Sequence, residues 1–290
     1  MLTIFANLRI NEPERLQHMK DSFNSFNTIS DDWLINIRGK LRDEAIVFLK
    51  ENLGDEMTLF ELLDDSRGWL VNALDMIDKA KYDYLFIWIE DHMNIAPQEI
   101  YKGIMREMKE NDVDYMMYSW WMFGKSREVF DKLETEIGME KFKYIDTVDL
   151  TAKKWKQIRR AGYPYFIMSL CGIFKKELFK KMLKNERKKL PIFLTKFIFK
   201  AMGFLTYHLH VLGREHKRYF RVINKFFLHK LRKFPKETPF ELEMPETRTD
   251  MLPLKMAFPN QELFACIDDD LNAPETQGSS LISRGLYPSK

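Results

Sequence analysis

Apolar residues in the first 125 positions fall into short runs that alternate between two spacings. Residues 2–8 (LTIFANL), 33–37 (WLINI), 57–63 (MTLFELL) and 84–89 (YLFIWI) are nearly unbroken and rich in strand formers. Such runs suit central strands covered on both faces. Between them, residues 14–26 place Leu16, Met19, Phe23 and Phe26 at helical spacing behind Pro13, a residue that fits the first turn of a helix. Residues 43–52, with Ile46, Val47 and Leu49, and residues 69–80 read as two further helices. The alternation predicts an α/β fold with a mostly parallel, doubly wound sheet flanked by helices. Farther on, Pro97 opens a helix over 98–109, and 114–122 reads as a strand. Residues 126–160 are mixed and mainly helical. The run 163–174 (YPYFIMSLCGIF) reads as one strand leading through Gly172 into a helix over 176–183. Residues 191–234 read as one or two basic, apolar helices. After Pro235 the chain turns proline-rich and acidic and ends in a loose tail of about a dozen residues.

Composition changes this picture in two places. Cys171 and Cys266 stand far apart and in no metal-ligand spacing, which argues against a disulfide framework and for a reducing compartment. The start lacks the features of a signal peptide, and no stretch of 18 apolar residues occurs, so a cytoplasmic protein is expected. The net charge of +3 hides a strong asymmetry. Between 175 and 236 there are nineteen Lys/Arg against three Glu, a local +16, so the rest of the chain carries −13. The divisions expected are a core over 1–185, a basic helical segment over 186–236, and an acceptor-side acidic segment with the tail over 237–290.

Ligands of parallel α/β sheets bind beyond the carboxyl ends of the strands, and Glu90-Asp91-His92 directly follows the most apolar strand. Carboxylates with an imidazole suit Mn²⁺ or Mg²⁺ bound together with a diphosphate, although an acidic residue can also simply cap a turn. The surrounding order adds weight. Ala6-Asn7 ends the first strand ahead of Arg9, Asp64-Asp65-Ser66-Arg67-Gly68 follows the third, and a helix carrying Asn72 leads to Lys81–Glu90. This order resembles the nucleotide-binding half of GT-A glycosyltransferases, above all the large inverting family related to cellulose- and polysaccharide-making enzymes. The resemblance covers residues 1–125 and, loosely, 160–185. It departs from that family in having Glu-Asp-His where Asp-X-Asp is usual. It implies a nucleotide-diphosphate sugar donor contacted by Ala6, Asn7, Arg9, Asp65, Arg67, Asn72 and Glu90. It implies Asp91 and His92 as metal ligands, and a glycan or lipid-linked acceptor.

Sugar transfer also needs a base for the acceptor hydroxyl. The resembled family keeps it well downstream, and here Glu241 and Glu243 stand in Thr238-Pro239-Phe240-Glu241-Leu242-Glu243, two apart and on one face if extended. An exposed acidic turn is the plain alternative. A rival acidic cluster, Asp268-Asp269-Asp270, also ends an apolar run, but its late position marks a tail turn or a secondary cation site. Trp120-Trp121 offers aromatic faces for a sugar, or core packing. The basic block over 191–233 interleaves aromatic residues with Lys and Arg. It fits either an anionic membrane surface or an ordinary packed subdomain with a solvated basic face. A sugar-phosphate nucleotidyltransferase would call for a glycine-rich loop after the first strand, where Arg9–Pro13 has none. A nucleic-acid-binding protein would leave the acidic turn unexplained, and no nucleic-acid partner is expected.

Overall fold

The computed structural model describes residues 1–64, 68–119, 136–151, 153–154, 165–168, 172–187, 241–243, 255–268 and 278–288. Strand β1 (Thr3–Arg9) leads to helix α1 (Pro13–Phe26), β2 (Trp33–Arg38), α2 (Arg42–Leu53), β3 (Met57–Phe60), α3 (Trp69–Ile77) and β4 (Tyr84–Ile87). After these come β5 (His92–Asn94), α4 (Ile100–Glu110), β6 (Tyr115–Met117), β7 (Glu136–Gly138) and β8 (Phe142–Asp146). The remaining elements are β9 (Tyr165–Met168), β10 (Gly172–Lys175), α5 (Lys176–Arg187), β11 (Glu241–Glu243), β12 (Lys255–Pro259) and β13 (Phe264–Cys266).

Among the described residues, nine strands form one sheet in the order β3-β2-β1-β4-β10-β6-β12-β8-β7. The pairing directions make it mixed but mostly parallel: seven strands run one way, and β10 and β8 are reversed. This is the expected α/β fold. Its sheet is flanked by helices because both faces are apolar. In the register Ile4 lies opposite Phe86, so Phe5 points to the other face. Phe26 of α1 stacks on Phe86 at 5.7 Å, while Trp69 of α3 and Phe179 of α5 meet Phe5 at 6.3 and 5.6 Å. Phe23, Phe26, Trp33, Trp88, Phe86 and Phe264 form an aromatic cluster between α1 and the sheet. The strand order reverses beside β1. Strands β2 and β3 extend the sheet to one side, and β4 is laid on the other.

Three expectations need correction, and one element, β12, has no counterpart among the elements the sequence predicts. Among the described residues of 126–160, β7 and β8 are strands at the sheet edge where mainly helix was expected. The single run 163–174 is two strands: β9 pairs with β11 in a separate two-stranded sheet, and β10 enters the main sheet antiparallel between β4 and β6. The acidic downstream region contributes β12 to the main sheet, between β6 and β8. The final segment is not loose. Leu281 is 2% exposed and Ser280 1%, and the Tyr287 hydroxyl donates to Asp21 at 2.5 Å.

Candidate functional site

Strand β4 ends at Ile87, but the Trp88 N–H still donates to the Phe5 carbonyl at 2.9 Å. The chain thus follows β1 for one more residue and then turns through Glu90 and Asp91 into β5. Helix α1 holds this turn from the side. Its positions 15, 18, 22 and 25 share a face by helical spacing. The Ser22 hydroxyl accepts the Trp88 indole N–H at 2.9 Å and donates to the His92 carbonyl. The Ser25 hydroxyl accepts the Asn94 N–H, and the Asn94 amide donates to the Ser25 carbonyl, both at 2.9 Å. Arg15, near the helix start, then points its guanidinium at the turn, 2.6 Å from Asp91 Oδ2 and 3.6 Å from Glu90 Oε1.

The two carboxyl groups of the turn ionise differently. Burial, and then the neighbouring charge of Asp91, push Glu90 up to about 7. Burial works against ionisation of Asp91 as well, but the His92 and Arg15 hydrogen bonds outweigh it and hold that carboxyl well below the usual range. His92 Nδ1 lies 2.8 Å from Asp91 Oδ1, and the histidine is 7% exposed.

A residue with no local sequence signal completes the group. Strand β13 pairs antiparallel with β5, placing Cys266 opposite His92, and the Ile267 N–H donates to the Asp91 carbonyl at 2.7 Å. Directly opposed residues of an antiparallel pair carry their side chains on one face. One donor atom each from Asp91, His92 and Cys266 lie within 4.8 Å of one another. The three form a group able to coordinate a metal ion. Asp268, the first residue of the acidic run that looks like a rival in the sequence, lies near this turn: it follows β13 and its charge reaches Arg15. The Cys266 thiol donates to the Asp268 carbonyl at 2.9 Å. Its lack of ligand spacing in the chain concealed a spatial neighbour.

Magnesium takes oxygen ligands in octahedral geometry, and manganese also prefers oxygen and nitrogen. Among these three residues only Asp91 offers oxygen, and both of its oxygens already bear hydrogen bonds. The carboxylate, imidazole and thiol set fits a borderline divalent ion well and Mg²⁺ poorly.

The other expected residues lie as follows. Ala6 is fully buried within β1. Asn7 is 8% exposed; it accepts from Asn36 Nδ2 at 3.0 Å and its carbonyl accepts the Trp69 indole N–H at 3.1 Å. Asn72 is buried on α3 and donates to the Leu62 carbonyl at 3.3 Å, which also accepts from Asn36 at 3.3 Å. Asn36 thus links Asn7 and Asn72 through one carbonyl. It is a residue that the sequence did not single out, because it looks like one polar residue in an apolar strand. Arg9 is exposed at the end of β1. Glu241 and Glu243 lie on β11, paired with Met168 and Tyr165 of β9. Asp65, Arg67, Asp269, Asp270, Trp120, Trp121 and the basic block over 188–240 lie outside the described residues. Among the described residues, no helix is long and apolar enough to cross a membrane.

The sequence matches no protein-family model and no curated protein. Among solved structures it bears a distant resemblance to S. aureus TarS. A crystal structure of TarS 1-349 in complex with UDP is 9% identical with a TM-score of 0.37, covering 62% of this chain and 48% of that one. The complex of TarS 1-349 with UDP-GlcNAc is 9% identical with a TM-score of 0.38, covering 62% and 47%. TarS 1-349 alone is 11% identical with a TM-score of 0.34, covering 62% and 49%. The match thus spans about half the length of these TarS chains.

Proposed function

We propose that the chain is a GT-A-type glycosyltransferase that moves a sugar from a nucleotide-diphosphate donor to a hydroxyl of a glycan or lipid-linked acceptor, in cell-surface polysaccharide synthesis. One observation carries the reading. The turn Glu90-Asp91-His92 lies beyond the carboxyl end of β4, beside β1, where the strand order reverses. In open α/β sheets that reversal is where ligands bind. The donor would lie along the ends of β1 and β4, over Asn7 and Arg9, with Ala6 behind them and Asn72 below. Asp65 and Arg67, which stand between β3 and α3 in the sequence, would be further donor contacts. Glu90 is the residue of the turn suited to a ribose or sugar hydroxyl.

Departure of a nucleoside diphosphate builds negative charge on its oxygens, and catalysis requires fixed positive charge there. Arg15 is a cation already present at the turn, with its side chain 39% exposed. A divalent ion held by Asp91 and His92 would supply Lewis-acid charge at the same place. Glu241 and Glu243 are the candidates for taking the acceptor proton. The basic block supports a peripheral position at the inner face of the membrane, near a lipid-linked acceptor.

A thermal-shift screen against UDP-, GDP-, CMP- and dTDP-linked sugars, with and without divalent ion, tests the reading. A ligand that binds only the folded state at a hundred times its Kd adds about 2.7 kcal/mol of stability. One nucleotide class should raise the melting temperature and the others should not. No shift with any of them would end the proposal.

A further inference from the structure

Cys266 reaches His92 from 174 positions away, and the structure fixes it there by backbone alone. The β5–β13 ladder is continued on both sides: Ile95 N–H donates to the Leu263 carbonyl at 2.9 Å, and Ile267 N–H to the Asp91 carbonyl at 2.7 Å. The Leu281 N–H donates to the Cys266 carbonyl at 2.8 Å, so the final segment braces the same strand from outside. Ala265, Ile267 and Leu281 form a small apolar cluster under that brace. Carboxylate, imidazole and thiol are therefore held together before any ion arrives.

We infer that Asp91, His92 and Cys266 form a binding site for a thiophilic divalent cation of the zinc class, with the Cys266 sulfur as third donor. The ion's part in sugar transfer rests on the reading above; the site itself rests on these three donors. Zinc is bound by sulfur, nitrogen and oxygen in four-coordinate sites, and three protein ligands leave one position for an outside oxygen. A carboxylate and a thiolate together neutralise the charge of a divalent ion, which favours binding in a half-buried site. On binding, the thiol proton now shared with the Asp268 carbonyl passes to solvent and a sulfur–metal bond replaces it, so binding releases one proton. Mg²⁺ gains little from sulfur.

Cobalt(II) is the probe, because a thiolate bound to it gives a charge-transfer absorption in the near ultraviolet. The full chain, without nucleotide, should develop this band to one equivalent, and Zn²⁺ should abolish it while millimolar Mg²⁺ should not. Cys266→Ser should lose the band and bind Zn²⁺ more weakly, by more than the about ten- to hundredfold lost when a hydrogen-bond partner of a ligand is removed. Asp91→Asn should keep the band but weaken binding, and Cys171→Ser should behave as the unaltered protein. Circular dichroism shows whether each variant is folded, and Cys266→Ala serves if the serine variant is not. A band that survives in folded Cys266→Ser, no band at all, or Mg²⁺ competing as well as Zn²⁺ would overturn the inference. Nucleotide sugars that bind without any cobalt–thiolate band would leave the transferase reading standing. A thiolate site in a protein that no nucleotide sugar stabilises would do the reverse.

Discussion

Glu90 and Asp91 are adjacent, yet their carboxyl groups meet opposite surroundings. Asp91 has Arg15 and His92 on its two oxygens, while Glu90 is half-buried beside a charge of its own sign. A carboxyl that stays protonated up to about 7 when folded, against an ordinary value of 4.5, makes the folded state bind the extra proton between those limits. The contribution of Glu90 to stability then falls as pH rises from about 4.5 to 7. Glu90→Gln should flatten that fall and gain stability relative to the unaltered protein at pH 8 but not at pH 4. Urea denaturation in EDTA at the two pH values measures this, and an equal difference at both would refute the assignment. Glu241 and Glu243 are the residues proposed to take the acceptor proton. Replaced one at a time by Gln, one of them should lower turnover by about two to four orders of magnitude, with donor binding within a few-fold. If both variants turn over normally, the base lies elsewhere. At this scale the sequence disclosed what a strand end discloses: Glu90, Asp91 and His92. It hid Arg15 because one arginine in a charged first turn looks like a solvated residue. It hid Cys266 because the β5–β13 pairing joins distant stretches, and no local spacing records that.

At the scale of elements, the first four strands and their helices were legible because each apolar run has its own period and its own boundary. Pro13 opens α1, and Gly54 caps α2 by donating its N–H to the Lys50 carbonyl. Downstream the same rules failed for physical reasons. The apolar run 163–174 contains two strands that belong to different sheets, β9 paired with β11 and β10 inserted antiparallel between β4 and β6. Period alone does not show where a continuous run breaks. Strand β12 is five residues long among prolines and charges, and only its buried place between β6 and β8 makes it a strand. Gly172, at the start of β10, shows how tightly that insertion fits. A Cβ there would lie 2.3 Å from Tyr115 Cε2, and that ring is fully buried with its centroid 4.7 Å from that of Phe174. Gly172→Ala should therefore destabilise the fold by about 1–3 kcal/mol, the usual cost of overpacking. Urea denaturation should show a lower midpoint with an unchanged slope. A variant as stable as the parent would mean that β10 sits more loosely than this.

Across the whole molecule, charge is divided as sharply as structure. The region from 175 to 236 carries +16 and the remainder −13. Part of its near end is used internally. Lys175 reaches Asp112 at 2.6 Å and Asp114 at 3.2 Å, and Lys180 reaches Asp78 at 2.5 Å. Those lysines tie β10 and α5 to the acidic body. Residues 191–233 hold most of the remaining cations, interleaved with aromatic residues, and an interfacial role makes a salt-dependent demand on them. Each Lys or Arg near an anionic leaflet contributes about 1 kcal/mol, and ions screen that attraction within about 10 Å at 0.1 M salt. The full chain should therefore sediment with vesicles containing phosphatidylserine and far less with neutral vesicles, and added salt should release it. Charge reversal at Lys196 and Lys200, four apart and on one face if helical, should reduce vesicle binding while transfer to a soluble acceptor survives. If the block is an ordinary subdomain with a solvated basic face, the reversal changes stability by less than about 1 kcal/mol and vesicle binding is weak from the start. Sedimentation at two salt concentrations separates these outcomes, and a chain that stays in the supernatant with anionic vesicles at low salt is not a membrane-surface enzyme.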